Sequence, residues 1–330
     1  MRPLAYARVS GVDEAIMAVS RQERADYLAG GTTEVDLLRL DVLRPELLVD
    51  ISRLPLAAVE ELPGGGLRIG ALARMNDVAQ APAVLRRFPV LSQALLLGAS
   101  AQVRNLATMG GNLCQRVRCG YYRDAISPCN KRDPGSGCAA LTGLNRGHAV
   151  LGTSEMCIAT HPSDAAVALV ALDAVVHTRR RGGLTRAIPA DEFFLLPGDT
   201  PELEHPLEHG ELIVAIEVPA TPSAATSVYQ KYRDRESYEF ALASVAAAIR
   251  LDKGTVAEVR LALGGVATKP WRARSAEASL LGQPATPASY AEAARAELAA
   301  AAPRPANAFK AELAKRAIVM ALSELTPASR

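Results

Sequence analysis

The chain has 330 residues, 49% of them hydrophobic, with 37 basic side chains set against 35 acidic ones. That length allows roughly two or three domains with cores of their own. A net charge of +2 gives no electrostatic reason to expect a nucleic acid or an anionic membrane as partner.

Met1-Arg2-Pro3-Leu4-Ala5-Tyr6 leads into mixed polar sequence without the apolar core of an export signal. The expectation is a chain with no export signal of its own, which could still travel bound to a partner that has one. The longest apolar runs, 165–176 and 240–249, fall short of the about 20 residues that span a bilayer. Membrane insertion is therefore not expected.

Residues 11–20 read as a helix, with Ala15, Ile16 and Val19 at helical spacing. Residues 27–29 predict a short strand that runs into Gly30-Gly31-Thr32-Thr33-Glu34, and the helical pattern Val35, Leu37, Leu38, Leu40 follows. Strand, glycine turn and helix together present backbone N–H groups to a phosphate; a plain tight turn has the same sequence. Residues 47–51 predict a buried strand paired with 27–29. Segments 59–62 and 67–69 flank Pro63-Gly64-Gly65-Gly66 and predict a hairpin.

Residues 75–99 are helical with breaks near Pro82 and Pro89. They lead to a second glycine pair in Thr108-Met109-Gly110-Gly111-Asn112. The Asn112 amide both donates and accepts, which suits a turn or a ligand edge. Ser163-Asp164, ahead of the apolar run 165–172, reads first as a helix N-cap. Residues 173–178 predict a strand ending in Arg179-Arg180-Arg181-Gly182-Gly183, a solvated hairpin tip, and 193–199 predict a loop.

Leu212–Val218 predicts a strand closed by Pro219, and the small polar residues 219–227 mark a boundary between domains 1–222 and 223–330. Beyond it come a strand over 228–232, a helix over 241–249, two strands near 255–259 and 260–263, and Gly264-Gly265-Val266. The tail from Ala276 is helical in two or three pieces, separated at 282–287 and 303–305.

All five cysteines fall between positions 114 and 157. Four lie in a polar segment at Cys119-x9-Cys129-x8-Cys138-x18-Cys157. Buried structural cysteines suit so polar a segment poorly, and two disulfides need an oxidising compartment. A structural zinc prefers close cysteine pairs, which are missing. A four-thiolate iron–sulfur cluster tolerates irregular loop spacing. Arg116, Arg118, Arg123, Lys131, Arg132 and Arg146 outnumber Asp124, Asp133 and Glu155, a surplus that would offset a cluster's negative charge. Cluster, zinc and no metal all remain open on chemistry alone. One cysteine of the five is left over: Cys114, directly after Gly-Gly-Asn-Leu, reads as the non-ligand, although spacing alone does not distinguish it from Cys119 in that role.

Ala29-Gly30-Gly31-Thr32, then Thr108-Met109-Gly110-Gly111-Asn112-Leu113, Ser163-Asp164, and Gly264-Gly265-Val266 with Pro270 together resemble the FAD-binding subunit of the xanthine dehydrogenase / molybdenum hydroxylase family. The resemblance covers nearly the whole chain. The segment from Arg118-Cys119 through Pro128-Cys129-Asn130-Lys131-Arg132 to Gly137-Cys138 resembles the insert in the FAD subunit of bacterial periplasmic aldehyde oxidoreductases. A similar insert carrying a [4Fe–4S] cluster occurs in the flavin subunit of 4-hydroxybenzoyl-CoA reductase.

The resemblance implies an α+β fold: a two-subdomain FAD domain of the vanillyl-alcohol-oxidase (PCMH) type, 1–54 and 55–222, and a small C-terminal α+β domain of CO dehydrogenase flavoprotein type. The iron–sulfur insert would occupy about 115–160. The loop Leu28, Ala29, Gly30, Gly31, Thr32, Thr33 and Glu34 would wrap the FAD pyrophosphate through backbone amides, facing Thr108, Gly110, Gly111 and Asn112. Asp164 would contact the ribose or adenine end, Ile213 would pack on the flavin, and Lys231 would contact it from the C-terminal side. Cys119, Cys129, Cys138 and Cys157 would ligate the cluster, as a relay or a staple.

Two positions depart from the family pattern. Gly98 stands where many relatives have a ring-stacking aromatic, and Asn307-Ala308-Phe309-Lys310 replaces a commoner Tyr-Arg pair. No second glycine fingerprint supports an NAD acceptor. The implied role is electron transfer, with no catalytic acid, base or nucleophile in this chain. Aldehyde and water would become carboxylate at the molybdenum cofactor of a large partner subunit. A small [2Fe–2S] subunit would pass electrons to FAD, and FAD would pass them to an external acceptor. The implied location is the periplasm, as passenger of an exported complex, with the cytoplasm as alternative. The rival functions are a free-standing flavin oxidoreductase with a zinc-clipped insert, and a binding module that has lost its cofactor.

Overall fold

The computed structural model of the chain describes residues 2–326. Among the described residues, twelve strands form three sheets. The first is parallel: β1 (Ala5–Arg8) and β2 (Ala25–Leu28) flank β3 (Leu47–Asp50), with Ala5 and Ala25 both opposite Leu47. The predicted pairing of the strand before the first glycine loop is thus present. The helix Val12–Ser20 buries Ala15, Ile16 and Val19 on this sheet.

The second sheet runs β4-β5-β8-β6-β7, formed by Val59–Glu61, Leu67–Gly70, Leu212–Val218, Val175–Arg179 and Thr185–Pro189. The hairpin β4–β5 closes through the predicted glycine turn. Helices Met75–Gln80, Pro82–Arg87 and Pro89–Leu97 break at the two prolines, each of which opens a new helix at its first turn. Ser163 caps the helix Asp164–Ala171, accepting from the Ala166 N–H at 3.0 Å. That helix is buried along its whole length.

Strand β6 starts at Val175 because Asp173 takes a left-handed φ of 53°. The arginine-rich tip between β6 and β7 is tied down: Arg179 pairs with Asp13 at 2.7 Å and Arg180 with Glu208 at 2.5 Å. The stretch 193–199 is not wholly loop. Phe193 ends a helical turn, Ala190–Phe193, and both Phe193 and Phe194 are buried.

The third sheet corrects two expectations. Residues 241–249 are not a helix; they belong to β10 (Ala243–Asp252), between β9 (Ser227–Tyr232) and β11 (Thr255–Gly264). The two strands expected over 255–263 are one, and β12 (Trp271–Arg272) completes the sheet. Alanine content made β10 read as helix, but β10 is a central strand covered on both faces. Val245, Ala247 and Ile249 face the core built with helix Phe309–Leu325, while Ala246 faces the core holding helix Asp164–Ala171. Apolar side chains on both faces hide the two-residue period. The tail forms Arg274–Leu280, Pro287–Leu298 and Phe309–Leu325. Among the described residues, no helix is long and apolar enough to cross a membrane.

The cysteine-bearing segment lies between helices Met109–Leu113 and Asp164–Ala171. It has little regular structure beyond the turns Gly120–Arg123 and Ala139–Leu141. A small core of its own joins Val117, Tyr122, Cys129, Cys157 and Ala159 to Leu37 on the helix after the first glycine loop.

Candidate cofactor cleft and cysteine cavity

The parallel sheet ends at Leu28, and the chain turns through Gly30 and Gly31 into helix Glu34–Arg39. Gly31 has a φ of 71°, which favours glycine. Gly30 lies against the chain before the second loop; a Cβ there would sit 2.1 Å from the Leu106 carbonyl oxygen. The two glycine loops therefore meet backbone to backbone. Among the described residues, the N–H groups of Gly31 and Thr32 donate to no backbone carbonyl. The second loop is more self-satisfied. Gly110 N–H donates to Ala71 at 2.8 Å, and Gly111 N–H to the Thr108 hydroxyl at 3.3 Å.

Between the loops opens a cleft of about 390 Å³, within the size range of small-molecule sites. Ala29, Gly30, Gly31, Thr32, Thr33 and Glu34 line one side, Thr108, Gly110 and Gly111 another, and Ile213 one end. Four predicted residues lie elsewhere. Leu28 packs behind Gly31. Asn112 turns its amide nitrogen to the Met75 sulfur at 3.3 Å and accepts from the Ser163 hydroxyl. Asp164 and Lys231 pair with each other at 2.7 Å; the Tyr229 hydroxyl donates to Asp164 at 2.7 Å, and Lys231 also donates to the Leu97 carbonyl. Asp164 lines a separate small cavity with Arg118, Phe240 and Gly264.

The cleft has charges that sequence spacing did not reveal. Asp26, Arg116 and His205 line it, as does Cys114. Burial pushes the Glu34 carboxyl up to about 8, helped by Asp26 and opposed by Arg116. Burial raises Asp26 as well and lowers His205. The Cys114 thiol is pushed up to about 12 by burial and is inert as a thiolate at neutral pH. Asp26 carries no motif, and His205 comes from a loop that only the tertiary fold brings here.

Cys119, Cys129, Cys138 and Cys157 line one small, mostly apolar cavity, apart from Cys114. Cys129 and Cys138 face each other across an antiparallel bridge. All five cysteines are free thiols, which overturns the disulfide reading. Among the described residues, no group of three or more His, Cys, Asp or Glu is placed to hold a metal ion. The expected basic surplus is also largely committed elsewhere. Arg116 and Lys131 both pair with Glu204, at 2.9 and 3.0 Å. Arg118 and Arg123 pair with Asp36, and Arg146 with Asp234. Arg132 donates to the Tyr121 and Tyr122 carbonyls. His148, which spacing did not single out, sets its Nε2 3.2 Å from the Cys119 sulfur.

Glu204 connects the two sites, since Arg116 lines the cleft and Lys131 the cysteine cavity. Burial raises its carboxyl, but Arg116 and Lys131 outweigh burial and hold it below its ordinary value.

Comparison with known proteins points the same way. The family described as FAD binding domain in molybdopterin dehydrogenase matches residues 2–221, and the CO dehydrogenase flavoprotein C-terminal domain matches 227–325. The chain is 49% identical to the aldehyde oxidoreductase FAD-binding subunit PaoB of Escherichia coli, over 98% of both chains. It is 31% identical to the glyceraldehyde dehydrogenase medium chain of Sulfolobus acidocaldarius, over 84% of this chain and 81% of that one. Among solved structures, carbon monoxide dehydrogenase of Hydrogenophaga pseudoflava superimposes with a TM-score of 0.76 at 29% identity, covering 98% of this chain and 96% of the other.

Proposed function

Because the chain belongs to the FAD-binding subunits of molybdopterin dehydrogenases, we propose that it is the flavin-carrying subunit of a molybdenum hydroxylase-type aldehyde oxidoreductase and moves electrons rather than transforming the aldehyde. The observation that carries this reading is the first glycine loop, whose Gly31 and Thr32 amides are open beside a cleft closed by the second glycine pair. The residues present fit FAD: Gly30 lets two backbones come together where a side chain would part them, and unbonded amides suit a diphosphate. When bound, FAD supplies the exchange between two-electron and one-electron transfer. The chain's own part is to hold it. The Gly30–Thr33 amides would bind the diphosphate, Ile213 would pack against the cofactor, and Arg118 would brace the loop by donating to the Thr33 hydroxyl at 3.2 Å.

The same reading assigns a [4Fe–4S] cluster to Cys119, Cys129, Cys138 and Cys157. Four free thiols on one apolar cavity support it, as does His148 beside Cys119, since hydrogen bonds to sulfur tune such groups. The partners would be a molybdenum-cofactor large subunit and a [2Fe–2S] small subunit, with an external acceptor drawing electrons from the flavin.

The test is to purify the chain with its partner subunits without oxygen and to measure flavin, iron, sulfide and zinc per chain. One FAD is expected, with about four irons and matching sulfide on this subunit. Iron is expected to be lost in Cys129→Ser and Cys138→Ser while flavin stays. Zinc in place of iron would replace the cluster reading with a structural clip, and no flavin would end the functional reading itself.

A further inference from the structure

Glu34 takes no part in the ion pairs that surround it. It opens the helix Glu34–Arg39 directly after the first glycine loop, and it lines the cleft. Its Oε1 is buried and, among the described residues, meets no hydrogen-bond donor. The nearby cation, Arg116, is engaged by Glu204 at 2.9 Å. The other acid that acts on it, Asp26 of β2, opposes its ionisation. An ionised carboxylate without a donor is costly to bury, and one beside a bound diphosphate would repel it. A protonated carboxyl reverses both problems, because it carries a donor and no charge.

We propose that Glu34 serves the cofactor as a neutral carboxylic acid, giving a hydrogen bond to an acceptor oxygen of the diphosphate held by Gly30–Thr33. This rests on the FAD reading above and assigns the side chain a role beyond its backbone's place in the loop. Burial already holds the carboxyl at about 8, and a neighbouring diphosphate would push it higher. The complex therefore keeps the proton that the free cleft gives up at alkaline pH. By linkage, FAD affinity is level below about pH 8 and falls by up to about tenfold per pH unit above it. Of the other groups at the cleft, burial carries the Cys114 and Tyr27 pKa values above that window and the His205 pKa below it. Asp26, also raised by burial, faces Glu34 from β2, and Glu208, His209 and Glu211 line the same cleft, so the comparison with Glu34→Gln is what assigns the slope to Glu34.

The experiment measures the FAD dissociation constant of the flavin-stripped chain, by fluorescence quenching from about pH 6.5 to about pH 9.5, for the wild type and Glu34→Gln. The wild type should weaken about tenfold or more across the alkaline half of the range, whereas Gln, a neutral donor of similar shape, should stay level. Equal profiles, or a level wild type, would overturn the proposal. Failure of a folded wild type to bind FAD at any pH would instead overturn the flavin reading. Should Glu34→Gln not fold, calorimetry of wild-type FAD binding in buffers of different ionisation enthalpy decides. Proton uptake at about pH 9 and none at about pH 6.5 is expected, and no uptake at either sinks the idea.

Discussion

Glu204 shows how one side chain can join two sites. It has no motif, and its sequence neighbours say nothing of its partners, which lie 88 and 73 positions away by residue number (204 − 116 and 204 − 131). Glu204→Gln would leave Arg116 and Lys131 as buried cations sharing no carboxylate. The expected loss is about 3 kcal/mol, in the range for breaking one side of a buried ion pair, and urea unfolding at neutral pH measures it. The sign with pH follows from a carboxyl held below its ordinary value. The stabilisation is present above the unfolded-state pKa and is lost as pH falls through the folded-state one. Wild type and variant should therefore converge in stability on acidification, and a constant gap down to about pH 2 would contradict the assignment. At the same scale, the glycine pairs and Ser163 were legible because backbone geometry and capping are local.

Among elements, the prolines and the hairpin glycines were readable, because each acts within a few residues of itself. Strand β10 was not, because its state depends on neighbours far along the chain. Its alanines have a function in packing: they bring helices onto both faces of the sheet. Ala246→Leu would force added volume against helix Asp164–Ala171, at a cost of about 1–3 kcal/mol. The thermal midpoint should drop by several degrees, and an unchanged midpoint would mean that this face is not close-packed. Arg250→Leu, at an exposed position late in the same strand, should leave the midpoint nearly unaltered.

Across the whole molecule, Lys231 on β9 joins Asp164 at the start of the helix that follows the cysteine segment. Tyr229 and Ser244 extend the bond network into the third sheet. Lys231→Met would strand a buried carboxylate, which burial already raises; removing one partner of such a pair costs about 3–5 kcal/mol. Faster amide exchange in β9 and β10, with β1–β3 unchanged, is the expected signature. Uniform exchange across the chain would show that the pair does not lock this sheet.

The sequence by itself determined the family, the two glycine loops, and most helices and strands. These rest on short-range backbone rules and on motifs that occupy consecutive positions. Only the tertiary structure decided that β10 is a strand, that the insert's arginines are absorbed by Asp36, Asp234 and Glu204, that Asp164 and Lys231 hold each other, and that Glu34 has a buried oxygen without a donor. Burial and pairing are made between distant segments, and the energy of a charge depends on what the fold sets beside it.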